Sequence, residues 1–150
     1  MAKMIQHQFF YPHPPELVWE YMTTAELIAQ WMMKNDFKPE VGHKFQFTAK
    51  PMPEMDFDGN IYCQVLELTP FKKLSYSWMF GPGDGAPQTE SIVHWTLTAK
   101  ENGTELLLQH RDFKGLNFSA MFDSMNKGWQ VLMEKILQTI NAANDGTAKA

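Results

Sequence analysis

Large apolar side chains recur every three or four positions near the end of the chain, at Met121, Phe122, Met125, Trp129, Leu132, Met133, Ile136, Leu137 and Ile140. That spacing lays them along one face of a helix with 3.6 residues per turn. Asp123, Lys127, Gln130, Glu134 and Gln138 fall on the opposite face, where water suits them. The pattern predicts one continuous helix over 118–141, with Met121, Met125, Trp129, Leu132 and Ile136 turned toward a partner layer. Burying such a stripe is worth roughly 10–25 kcal/mol before chain entropy is subtracted. The helix therefore needs an apolar partner of comparable extent.

Upstream the period changes to two. Residues 4–11 place Ile5, His7, Phe9 and Tyr11 on one face and end at Pro12. Pro14-Pro15-Glu16 then opens a helix through Leu17, Val18, Trp19 and Tyr21, since proline suits a first turn. Thr23 or Thr24 caps a second short helix, Ala25 to Met33, with Leu27, Ile28 and Trp31 on one side. Five further strands follow. Val41 to Thr48 carries Phe45 and Phe47 on one face, and Gly59 to Leu68 is apolar on both faces. Leu74, Tyr76, Trp78 and Phe80 alternate with Lys73, Ser75, Ser77 and Met79. Ser91 to Ala99 and Thr104 to Asp112 close the series, the latter with Leu106, Leu108 and His110 together. Short separators rich in turn residues, such as Pro70-Phe71-Lys72-Lys73 and Glu101-Asn102-Gly103, favour antiparallel hairpins. The expected architecture is α+β: a curved six-stranded antiparallel sheet around the C-terminal helix, with two short helices after the first strand. Residues 1–143 are expected to form one domain and 144–150 a disordered tail.

The totals sharpen this picture in a few places. The chain of 150 residues fits one domain with a real core. Eleven methionines and 13% aromatic residues suit an adaptable apolar surface as well as a packed core. A formal charge of −4 argues against nucleic-acid binding, which needs a basic footprint. The lone Cys63 has no internal partner, which favours a reducing compartment. The first residues lack the apolar run of a signal peptide, and no stretch approaches the length of a membrane span. A cytoplasmic protein, monomer or homodimer, is expected.

Motifs that carry chemistry are sparse. His110-Arg111-Asp112-Phe113-Lys114-Gly115-Leu116-Asn117 matches the catalytic-loop pattern of protein kinases. No phosphate loop or strand-borne lysine motif accompanies it, so no kinase chemistry is expected. Asp56, Asp58, Asn60 and Glu67 imitate a calcium loop, but Ile61 stands where the sharp turn needs glycine. Gly81 to Gly85 joins two strands rather than leading into a helix, so it reads as a hairpin tip. The histidines at 7, 13, 43, 94 and 110 lack the spacing of a local metal site. No metal, cofactor or catalytic residue is expected, and Cys63 reads as packed rather than reactive. His7 and His110 fall on inward faces, where a histidine is more often hydrogen-bonded structure than a catalyst. With the aromatic set they define a candidate ligand-binding site: His7, Trp31, Phe45, Phe47, Tyr76, Trp78, Trp95, His110, Met121, Met125 and Trp129. Phe47, Tyr76, Trp78, Trp95, His110 and Met125 are expected to line the cavity itself.

The order of elements and several local signatures resemble the activator of Hsp90 ATPase homologue-like family. That family lies within the SRPBCC (START-like, or Bet v 1-like) superfamily of helix-grip folds. The matching pieces are Pro14 to Trp19, Leu27 to Trp31, Gly42 with Phe45, Gly59 to Pro70 and Leu74 to Trp78. Gly103-Thr104-Glu105-Leu106 and Gly128-Trp129 with Leu132 complete the set, which spans residues 4–142. The resemblance implies a sheet wrapped around the last helix with an apolar cavity between them. It implies a small apolar, aromatic or lipid-like ligand, with stress response as a setting. Two alternatives come with it: a chaperone (Hsp90)-interacting module, and a polyketide aromatase/cyclase-type enzyme using His110 as acid or base. The eukaryotic activators carry a separate N-terminal domain that this chain has no room for.

Overall fold

The computed structural model describes residues 4–52, 58–81, 89–114 and 118–144. Its elements run β1 (Ile5–Tyr11), α1 (Pro15–Thr23), α2 (Ala25–Trp31), β2 (Lys34–Asn35) and β3 (Lys44–Thr48). They continue with β4 (Asn60–Thr69), β5 (Lys73–Phe80), β6 (Thr89–Lys100), β7 (Gly103–Lys114) and α3 (Phe118–Asn144). All strand pairs are antiparallel, in the order β1-β7-β6-β5-β4-β3-β2. The chain is thus α+β, with its sheet closed over the C-terminal helix. The sheet has one strand more than the six expected. The addition is the two-residue β2, which pairs Lys34 with Thr48 and Asn35 with Phe47. So short a strand leaves no alternation to read. The Asn35 side chain fixes it instead, donating to the carbonyls of Ala25 and Met33 and accepting from the Phe37 N–H.

Helix ends differ modestly from expectation. Pro14 and Pro15 open α1. Thr24 occupies the N-cap of α2 without a side-chain cap bond, while Thr23 donates back to the Trp19 carbonyl. α2 stops at Trp31, two residues before the expected Met33. Met32 still donates its N–H to Ile28, but its backbone (φ −125, ψ −100) has left the helix. β3 begins only at Lys44, because residues 39–42 turn. The expected tail lies outside the described residues, apart from Asn144, which ends α3. The hairpin tip also lies outside them beyond Gly81, as do Asp56 of the calcium-like string and Gly115 to Asn117 of the kinase-like string.

The core fills the concave side of the sheet. Trp129, Met133, Ile136 and Ile140 of α3 are buried against Ile5, Tyr11, Leu106 and Leu108 of β1 and β7, and against the aromatic side chains of β3, β5 and β6. The polar face of α3, Asp123, Lys127, Gln130, Glu134 and Gln138, is exposed. Edge strand β1 is also tied to α3 through side chains. Tyr11 Oη donates to the Met133 carbonyl (2.7 Å), His7 Nε2 donates to the Asn126 carbonyl (3.0 Å), and His13 Nε2 meets Asn141 Oδ1 (2.6 Å).

Candidate ligand cavity

An apolar cavity of about 170 Å³ lies between the N-terminal half of α3 and the sheet. Met32 and Met33 wall it where α2 ends, Met52 where β3 has ended, Ile61 on β4, and Trp78 and Phe80 on β5. α3 contributes Ser124, Met125, Gly128, Trp129 and Leu132. The early stop of α2 matters here, because it releases the two methionines into the wall. The four methionines are half-buried, flexible and polarizable, which suits irregular or aromatic shapes. Wider hollows of about 290 and 490 Å³ lie among charged and polar side chains around Lys44 and Lys135, away from this apolar lining.

Of the residues expected at the site, Trp78, Met125 and Trp129 line this cavity. Phe45, Phe47, Tyr76, Trp95 and Trp31 do not line it; they form a packed aromatic layer behind it. Phe47 lies 5.8 Å from Trp78, Phe45 5.3 Å from Tyr76, and Trp95 5.4 Å from Trp129 and 6.3 Å from Trp31, centroid to centroid. Their polar atoms are used internally, as buried polar atoms must be. Trp31 Nε1 donates to the Tyr21 carbonyl, and Trp95 Nε1 donates to Tyr76 Oη. Burial pushes the Tyr76 hydroxyl pKa far up. His7 is spent on α3, away from the lining. The side chain of Met121 lies outside the described residues. The residues that sequence reasoning left out of the site are Met32, Met33, Met52, Ile61, Phe80, Ser124, Gly128 and Leu132. The methionine excess was the one available signal for part of that set.

His110 is fully buried on β7, between the aromatic layer and the cavity wall. A bulge gives it company. Ile92 pairs with Arg111 and Glu90 with Lys114, so Asp112 (φ 62) and Phe113 together oppose Ser91. This sets the Phe113 ring 4.7 Å from that of His110. Trp129 Nε1 donates to His110 Nδ1 at 2.9 Å. An indole N–H can only donate, so Nδ1 is the bare nitrogen and the ring proton sits on Nε2. Nε2 donates to Ser91 Oγ at 2.7 Å, and that hydroxyl donates to the Trp78 carbonyl at 3.2 Å. Burial, with a smaller contribution from His94, lowers the His110 pKa to about 3. Ser91 and His110 have the spacing of a nucleophile and its base, but the proton runs the wrong way. A serine nucleophile must donate to the imidazole, and here the imidazole donates to the serine.

Other candidate chemistry dissolves in the same way. Arg111 and Asp112 are exposed neighbours of each other rather than parts of a phosphate site. Asp58 Oδ1 accepts from the Asn60 N–H at the start of β4, within a turn. Among the described residues no three metal-ligating side chains converge. Cys63 is buried, and that burial first, then Asp36, raises its thiol pKa well above the usual range. No helix among the described residues is long and apolar enough to cross a membrane.

A curved antiparallel sheet holding one long helix over an apolar cavity defines the helix-grip class of the SRPBCC superfamily. The sequence profile of "Activator of Hsp90 ATPase homolog 1-like protein" matches residues 12–141, and the chain belongs to that family. Among solved structures it is similar to protein MLL2253 from Mesorhizobium loti, at 34% identity and TM-score 0.79, covering 93% of this chain and 97% of that one. It is similar to protein BH1534 from Bacillus halodurans, at 28% identity and TM-score 0.73, covering 93% and 99%. CalU16 from Micromonospora echinospora shares the fold at 20% identity and TM-score 0.73, covering 99% and 80%. No curated protein matches the chain significantly.

Proposed function

We propose that the protein binds a small apolar ligand, aromatic or lipid-like, in the cavity between α3 and the sheet. One observation carries this reading: among the described residues the cavity is walled by methionine, aromatic and aliphatic side chains, with the Ser124 hydroxyl as the polar side chain. Trp78, Met125 and Trp129 are the proposed contacts from the expected set. The packed layer of Trp31, Phe45, Phe47, Tyr76, Trp95 and His110 supports them. A ligand seated there gains about 25 cal/mol per Å² of apolar surface buried, enough for micromolar affinity when little ordering is needed. A cytoplasmic setting is part of the proposal, since the buried free thiol of Cys63 suits a reducing compartment.

A chaperone-contacting module is the second reading, favoured by the family's own description. Exposed Phe10, Val41, Leu66, Phe71 and Val131 would carry it, on β1, before β3, on β4, in the β4–β5 turn and on the outer face of α3. Two measurements decide between the readings. Native mass spectrometry of protein purified from its own host should find a retained small molecule. Titration with a panel of lipids, sterols and aromatics from one ring upward should change tryptophan fluorescence saturably for at least one member, and Leu132→Trp should abolish that change in a folded protein. A flat response across the panel, with nothing retained, would sink the cavity reading and leave the surface one.

A further inference from the structure

Among the described lining residues Gly128 is the one without a side chain, and it stands in the interior of α3. A glycine there weakens a helix relative to alanine, so it calls for a reason. Two structural reasons are common: a left-handed backbone, and the close approach of another chain segment. Gly59 has both, with φ +95 and a would-be Cβ 2.6 Å from the Ala49 carbonyl oxygen. Gly103 has the second, because a Cβ there would collide with the Tyr11 backbone. Gly128 has neither. Its φ is not in the left-handed range, and a Cβ built on it meets no neighbouring atom within 4 Å. A side chain at 128 would enter open space where α3 borders the cavity.

We infer that Gly128 sets the size limit of the cavity, and that the site it opens takes uncharged ligands of one or two fused rings. This rests on the reading of the cavity as a ligand site and adds the ligand's dimensions and charge. The size follows from volume. An apolar cavity of about 150 Å³ holds a benzene ring; here the volume is about 170 Å³, and the space a Cβ on Gly128 would enter is open. A second fused ring fits above that glycine, whereas a leucine there would take the same space. The charge follows from the lining, which among the described residues has no lysine, arginine, histidine, aspartate or glutamate. A carboxylate or ammonium seated there would be unpaired, at a cost no apolar contact offsets. A ligand hydroxyl fits, because Ser124 stands exposed at the rim.

Calorimetric titration with benzyl alcohol, 2-naphthol and 2-naphthoate tests this on the whole chain, as wild type, Gly128→Ala and Gly128→Leu. Wild type should bind 2-naphthol more tightly than benzyl alcohol and at least tenfold more tightly than 2-naphthoate. Gly128→Ala should raise Tm by about 2–4 °C through helix propensity and weaken 2-naphthol about threefold. Gly128→Leu should weaken 2-naphthol at least tenfold, and by a larger factor than it weakens benzyl alcohol. Wild type binding no probe overturns this inference, and the ligand-site reading falls with it only when the wider panel is also flat and nothing is retained from the host. Naphthol binding that is indifferent to both substitutions overturns the size limit alone. Equal affinity for naphthol and naphthoate overturns the charge rule, and a lowered Tm in Gly128→Ala means the glycine serves the fold.

Discussion

His110 shows how one residue type divides between two roles according to what its nitrogens touch. On an exposed strand end it would titrate near neutrality and could move protons. Here Trp129 holds one nitrogen bare and Ser91 receives the proton on the other, with no water-facing surface left. Charging the ring would put a proton on Nδ1 against the indole N–H. The consequence for pH has a definite sign. The folded pKa of about 3 lies below the ordinary 6.5, so the unfolded chain binds this proton first. The stabilisation is complete above pH 6.5 and is lost as pH falls toward 3, at about 1.4 kcal/mol per unit. Urea titrations at pH 7 and pH 5 should show His110 contributing about 2 kcal/mol to the acid loss of stability. His110→Gln, which keeps an acceptor for Trp129 and a donor for Ser91, should remove that share. An unchanged pH dependence in the variant would mean the histidine already titrates in the native state.

Among the elements, α3 has two unlike halves. Met133, Ile136 and Ile140 have no exposure and pack into the sheet and helices, while Met125, Gly128 and Leu132 stand half-buried over the cavity. Tyr11 fastens the packed half from β1 through the Met133 carbonyl. Tyr11→Phe should cost about 1–2 kcal/mol in denaturant titration, as for a lost buried hydrogen bond. A loss under about 0.3 kcal/mol would mean the tie contributes nothing. The periodicities of three to four and of two were enough to place α3 and six strands, because those signals span many residues. What they missed was local. β2 depends on one asparagine side chain, and the end of α2 on a backbone turn at Met32 that no side-chain pattern announces. Alternation could also assign Tyr76, Trp95 and His110 to the inner face, but not say whether that face met packed side chains or open space. That outcome depends on how far α3 stands off the sheet along its length, which is a tertiary quantity. Gly128 stayed invisible as a site residue for a related reason, since what it contributes is an absence.

For the whole molecule, a charge of −4 on 150 residues leaves no field to draw in a polyanion. Fluorescence anisotropy with duplex and single-stranded DNA at physiological salt should show no association. A salt-sensitive micromolar interaction would contradict the reading of the surface. The larger organisation lies in the division of α3. The residues that hold the fold together and those that would meet a ligand sit on the same helix, yet largely on different turns. A substitution at 125 or 128 changes what the cavity can hold and lies two turns or more from Ile136 and Ile140. In evolutionary terms such a chain is permissive: its contents can drift while its frame is held. A fold kept at TM-score 0.79 while identity stands at 34% fits such a division.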